Sequence, residues 1–346
     1  MSSFIKVEGF NLLVHYHRGK VKNLIELLSE GLLAQISNSS VHFKNGKKVS
    51  RIVGYQEFKT NSGVFISGYF HRSTSFNWEH VEEGGIPIED PGSVDAMPRA
   101  KFIIDVKRHR IYWITPIGQT ATPAINTFIT YLKNLSVKFL KNDYIELYKS
   151  ECLKEDCEPS ARGQHNFLVE NFVTLRTISM EIVPLIPKEM FDEFFTDKFR
   201  LLELTLKPKK SNPTADDFEE LIEETEKKFD EAEGEAEIKV KAKDRKQGLV
   251  KNKVKTAIKN CFSKGTLLLK MKLQDKSDTE NKNITITNIP KKGKFKEGMI
   301  DISLKESFES EIDSDETLEI VGKLNKRIID SDKMSNEQQK LYKKMF

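Results

Sequence analysis

The chain has 346 residues, 56 Lys+Arg against 52 Asp+Glu for a net charge of +4, and three cysteines. That length suits about two domains and buries a core without disulfides. The 22 Phe exclude a disordered chain. The sparse cysteines, Cys152, Cys157 and Cys261, exclude a secreted disulfide scaffold and suggest reduced thiols in a cytoplasm. No stretch approaches the apolar length of a membrane span, and the N-terminus lacks signal-peptide order.

Phe4 to His17 reads as a strand, and residues 20–35 as a helix with apolar residues at Val21, Leu24, Ile25, Leu28, Leu32 and Leu33. Val49–Phe58 and Gly63–His71 form a hairpin through the turn chemistry of Thr60-Asn61-Ser62-Gly63. Residues 82–98 are expected as a Gly/Pro-rich loop. KFIIDVKRHRIYWITP supplies two short strands around a basic turn. Thr122-Pro123 opens a helix that buries Ile125, Phe128, Ile129 and Leu132. Residues 150–165 read as a polar loop, with strands resuming over 167–186.

The second half opens with a short helix at Lys188–Phe195 and a strand at Arg200–Lys207. A long acidic helix, Pro213–Ala232, is capped by Thr214. Glu237–Lys243 is a strand and Leu249–Phe262 a helix. Gly265–Leu273, Asn283–Ile289 and Met299–Leu304 read as a β-meander. The charged tail from Ser310 holds a helix near Glu316–Ile329 and another begun by Ser335. This order is α+β: two mixed domains of antiparallel hairpins with flanking helices, residues 1–185 and 186–309, and a charged helical tail, 310–346.

The sharpest feature is a charge step. Asp216 to Glu237 carries 12 acidic residues against two Lys, and Lys239 to Lys264 carries ten basic residues against Asp244 alone. In Ile238-Lys239-Val240-Lys241-Ala242-Lys243, strand alternation would turn Ile238, Val240 and Ala242 to a core and the lysines to water, about 6.6 Å apart. Lys251, Lys255 and Lys259 then recur every four residues along one helix face. Lys239, Lys241, Lys243, Arg245, Lys246, Lys251, Lys255 and Lys259 are therefore the candidate DNA-binding residues. Lys is a flexible point charge, so contact with the phosphate backbone is expected rather than base readout. The competing reading pairs these lysines with the acidic helix before them, or leaves them as a solvated face.

Catalytic signals are few. Asp105-Val106-Lys107 ends a strand, with Asp90 and Asp95 upstream, the residue types of a metal-dependent nuclease. A hairpin end with solvated charges uses the same residues. Cys152, Cys157 and His165 could give three zinc ligands, without a fourth at a suitable spacing. His15 and His17 share one strand face. There is no Gly-rich phosphate loop, Gly-x-Ser-x-Gly elbow or kinase signature, so no metal and no cofactor is expected.

Three stretches carry a resemblance: GFNLLVHYHRGKVKNLIELLSEGLL, KFIIDVKRHRIYWITPIGQTATPAINTFITYL, and LLELTLKPKKSNPTADDFEELIEE followed by AEIKVKAKDRKQ. Over residues 3–246 the chain resembles the RexA-like phage exclusion family and, more loosely, KwaB of the Kiwa phage-defence system. The resemblance implies a bacterial or prophage antiviral protein that binds DNA without sequence preference and forms a homodimer. It places Lys239, Lys241, Lys243 and Arg245 on DNA. The chain departs from the family pattern in its acidic helix and charged tail. The leading expectation is thus a cytoplasmic DNA-binding component that couples to an effector protein from the same operon. The alternatives are a nuclease using Asp105 and Lys107, and an adaptor whose acidic helix, Asp216–Glu233, binds a partner.

Overall fold

The structure, a computed structural model, describes residues 4–15, 24–38, 42–45, 48–83, 86–118, 122–154, 158–172, 179–208, 238–252, 254–255, 267–277, 283–287, 299–301, 303–312, 315–328, 334 and 336–346. The fold is α+β. Its first sheet has eight strands: β1 (Phe4–His15), β2 (His42–Asn45), β3 (Lys48–Thr60), β4 (Gly63–Arg72), β7 (Arg99–Asp105), β8 (Arg110–Pro116), β9 (Ser179–Pro184) and β15 (Lys305–Glu309). Every pairing in it is antiparallel.

β1 is the organising strand. β8 lines one of its edges. β15 pairs with Phe4–Glu8 and β9 with Phe10–His15 along the other. The changeover falls at Gly9, whose N–H donates to the Leu304 carbonyl and whose own carbonyl accepts from Leu185, both at 3.0 Å. A Cβ there would meet Leu185, Leu304 and Tyr112 at 3.1–3.2 Å, so the close approach of three chains requires glycine.

Strand alternation gives this sheet two apolar faces. Phe10, Leu12 and Val14 of β1, Phe102 and Ile104 of β7, and Trp113 of β8 pack on one side. There they meet α1 (Leu24–Leu27), α2 (Leu33–Ser37) and α3 (Ile125–Lys154). Phe128 of α3 stacks on Phe102 with ring centroids 4.7 Å apart and touches Phe70 and Trp113. On the opposite side Ile5, Val7, Ile103, Tyr112 and Ile114 pack against Ile320, Val321 and Leu324 of α6 (Glu316–Lys326). The segment read as a charged tail is thus in part a cover for the first sheet. α7 (Asn336–Met345) contributes Leu341, Tyr342 and Met345 to the other face, and the Tyr342 hydroxyl accepts from the Val64 N–H at 2.7 Å.

The second sheet runs β11 (Ile238–Lys241), β10 (Phe199–Pro208), β12 (Leu267–Asp275), β13 (Asn283–Thr287), β14 (Met299–Asp301). Its core face, Leu201, Leu204, Leu206, Leu269, Met271, Leu273 and Ile286, packs with Phe191 and Phe194 of α5 (Lys188–Phe194).

Several expectations change. Residues 82–98 are not a loop: β5 (Thr74–Glu83) and β6 (Ile86–Ala96) pair as a two-stranded ribbon between β4 and β7. Both strands are edges, so the prolines cost little: Pro87 needs no outward N–H, and Pro91 lies in the register break opposite Trp78 and His80. The 150–165 loop is largely helical, because α3 runs to Lys154 and α4 (Ala161–Phe172) packs back on it, with Tyr148 and Phe167 rings 5.4 Å apart. α3 starts after, not at, Thr122-Pro123, its first turn closing on the Ala124 carbonyl. The last strands are not a meander, since β14 runs parallel to β13. The acidic helix expected over 213–232 lies outside the described residues. No helix among the described residues is long and apolar enough to cross a membrane.

Candidate nucleic-acid interface

The face of the second sheet opposite its core is set by register. Paired residues in an antiparallel sheet share a face. One row reads Lys239, Thr205, Lys270, Thr287, Asp301, and the next reads Lys241, Glu203, Lys272, Thr285, Met299. A third holds Arg200 and Gln274, hydrogen-bonded at 3.2 Å. The lysines stand about 7 Å apart along each strand and about 10 Å apart across β10. Lys239, Lys241 and Lys270 are exposed, while Thr205 and Thr287 are buried between the rows.

Glu203 is the carboxylate at the centre. Lys239 donates to it at 2.9 Å, and this bond, reinforced by the charges of Lys239, Lys241 and Lys272, holds its carboxyl below the ordinary carboxylate range. Glu203 thus sits among four lysines, with Asp301 at the far end of the Lys239 row, so cations outnumber carboxylates on this face among the described residues.

The turn after β11 extends this surface. The Asp244 side chain accepts from the Lys246 N–H at 2.7 Å, and the Asp244 carbonyl accepts from Gly248. Gly248 has φ +77°, and a Cβ there would lie 2.9 Å from the Leu201 carbonyl oxygen, so glycine lets the chain turn back against β10. Lys243, Arg245 and Lys246 are exposed in this turn.

Among the described residues of the expected 239–259 track, Lys251 and Lys255 turn to α5 and the turn after it. Lys251 donates to the Thr196 carbonyl, and Lys255 pairs with Asp192 of α5 at 2.8 Å. Both serve the contact between this segment and α5. Lys259 lies outside the described residues. Val240 shares the core face with Leu204 and Met271, yet on the edge strand β11 it stays 39% exposed, and Val250 is exposed as well. In place of Lys251 and Lys255, β12 contributes Lys270 and Lys272. The signal for them was present: Leu269-Lys270-Met271-Lys272-Leu273 alternates as 238–243 does.

Of the nuclease alternative's residues, Lys107 is half-buried in the β7–β8 turn. Asp105 is fully buried. It accepts from Arg108 through both the backbone N–H (3.1 Å) and the guanidinium (3.0 Å), and from the Asn325 amide at 3.0 Å. The Asn325 oxygen accepts in turn from Arg110 at 2.7 Å and Tyr112 at 2.6 Å. The carboxylate is spent on fastening α6 to the sheet. Cys152 is buried on α3, His165 is exposed on α4 and Cys157 lies outside the described residues. No group of three metal-ligating side chains occurs among the described residues.

The chain matches no protein-family model and no curated protein.

Proposed function

We propose that the chain binds DNA through phosphate contacts, without sequence preference, using the lysine face of the second sheet. The observation that carries the reading is the grid of Lys239, Lys241, Lys270 and Lys272 around Glu203. Lys243, Arg245 and Lys246 add charge beside it. Lysine ammoniums on long stems follow a polyanion without demanding a base pattern. The exposed arginine at 245 does not supply the set of bidentate contacts that base reading uses. The RexA-like resemblance gives this activity its setting: a cytoplasmic, homodimeric component of a bacterial or prophage antiviral system, coupled to an effector from its operon. No catalytic chemistry is assigned to it.

Fluorescence anisotropy with a labelled duplex of arbitrary sequence tests the reading. Lys239→Glu with Lys241→Glu should weaken binding at least tenfold at low salt, equally for unrelated sequences. Unchanged affinity, or a preference that follows sequence, contradicts it.

A further inference from the structure

A second cationic cluster stands on the first sheet, where the β5–β6 ribbon leaves it. Register puts Arg51 of β3, His71 of β4 and Arg99 of β7 in one row, and Val53, Tyr69 and Lys101 in the next. All six share a face. The Arg99 guanidinium lies over the Tyr69 ring at 4.5 Å, and the Lys101 ammonium lies 5.9 Å from the same ring. Lys101 is buried and donates to Thr317 at 3.2 Å, in the first turn of α6. Asp315, just before that helix, is the carboxylate whose charge acts on it. His71 is held below its ordinary value by burial first and by Arg51 and Arg99 after it, against the effect of a hydrogen bond to the Met97 backbone.

Two guanidiniums, an ammonium and an imidazole thus fall within an area of about 10 Å by 7 Å. Like charges gathered this closely repel. The first turn of α6 carries Glu316 and Glu319 besides Thr317. Two of the groups belong to arginines at exposed positions, and a guanidinium fork meets phosphoryl oxygens in pairs, which a lysine cannot do. Lys101, in the neighbouring row of the same face and held by Thr317, supplies a buried fixed charge beside them. The second-sheet face is a spread lysine grid suited to a polymer. This cluster is compact, arginine-led and backed by a buried cation.

We propose that Arg51, His71, Arg99 and Lys101 form a binding site for the phosphoryl group of a small ligand, a nucleotide phosphate or free polyphosphate. The arginines grip the oxygens, the Lys101 charge beside them adds to the attraction and Tyr69 keeps the Arg99 fork in place.

Isothermal titration at low salt with pyrophosphate and with ATP tests this. Both should bind the wild-type chain. Arg51→Ser with Arg99→Ser should weaken both at least tenfold, the loss expected for a charge-assisted contact. Arg51→Lys with Arg99→Lys should recover only part of the affinity, because charge returns without the fork. Lys239→Glu with Lys241→Glu should leave both affinities unchanged. Tighter binding of ATP would identify a nucleotide as the source, and equal binding a free polyphosphate. Both arginines are exposed, so an unchanged circular dichroism spectrum and duplex affinity should show that the Ser variant folds. No heat from either probe, an unchanged affinity in the Ser variant, or loss of duplex binding with pyrophosphate binding kept, would overturn the proposal.

Discussion

Asn325→Ala removes a side chain that satisfies three buried partners at once. Its amide donates to Asp105 at 3.0 Å, and its oxygen accepts from Arg110 at 2.7 Å and Tyr112 at 2.6 Å. Asp105, Arg110, Tyr112 and Asn325 are all buried. Leaving one buried donor or acceptor without a partner costs about 1–3 kcal/mol, more when the group is charged. Asp105 keeps its two bonds from Arg108, and Arg110 and Tyr112 keep their contact with each other, so the loss is spread over the network. The three effects share one network and do not simply add. The expected destabilisation is about 3–5 kcal/mol. Urea unfolding followed by Trp113 fluorescence, in a Trp78→Phe background, reports on the sheet beneath α6. Thr317→Val removes the hydroxyl to which Lys101 donates and should cost about 1–2 kcal/mol in the same assay. A loss below about 1 kcal/mol for Asn325→Ala would refute the view that this asparagine fastens the helix to the sheet.

Further outcomes follow from the same geometry. Lys251→Ala and Lys255→Ala should leave duplex affinity within about twofold, because these side chains serve the Thr196 carbonyl and Asp192, and anisotropy reads this directly. Gly248→Ala should destabilise the chain by about 1–3 kcal/mol in urea, since φ +77° and the Leu201 carbonyl both oppose a Cβ. Burial first, then the Arg110 charge, push His109 down to about 4. A base with a lowered folded-state value contributes stability that is complete above its unfolded value near 6.5. That stability should fall by about 2–3 kcal/mol as pH drops from 6.5 to 4, and His109→Gln should flatten the profile.

Several strands were legible from residues alone. The 49–58 and 63–71 hairpin, the strands around the 107–110 turn and the strand at 200–207 all form. They are short runs rich in β-branched, aromatic or leucine residues and bounded by turn chemistry, and those around the 107–110 turn are buried on both faces. The β5–β6 ribbon was not legible, because its glycines and prolines signal turns, and only an isolated ribbon with two open edges tolerates them. The lysine alternation at 238–243 correctly placed Lys239 and Lys241 on one face. It could not give the neighbour of β10 on its other side, which is where Lys270 and Lys272 enter. Helical spacing of Lys251 and Lys255 looked like a free face because sequence carries no record of Asp192 and Thr196 across the chain. Asp105 likewise reads as a catalytic carboxylate until Asn325, 220 residues away, is seen to donate to it.

The central claim is that four lysines from β11 and β12 meet the phosphates together. The direct measurement is the slope of log affinity against log salt for one duplex, in the wild type and in Lys270→Gln with Lys272→Gln. Each lysine on a phosphate contributes about 0.9 to the slope, so the pair should lower its magnitude by about 1.8. The effect should match that of Lys239→Gln with Lys241→Gln. An unchanged slope after loss of Lys270 and Lys272 would contradict a binding face spanning both strands.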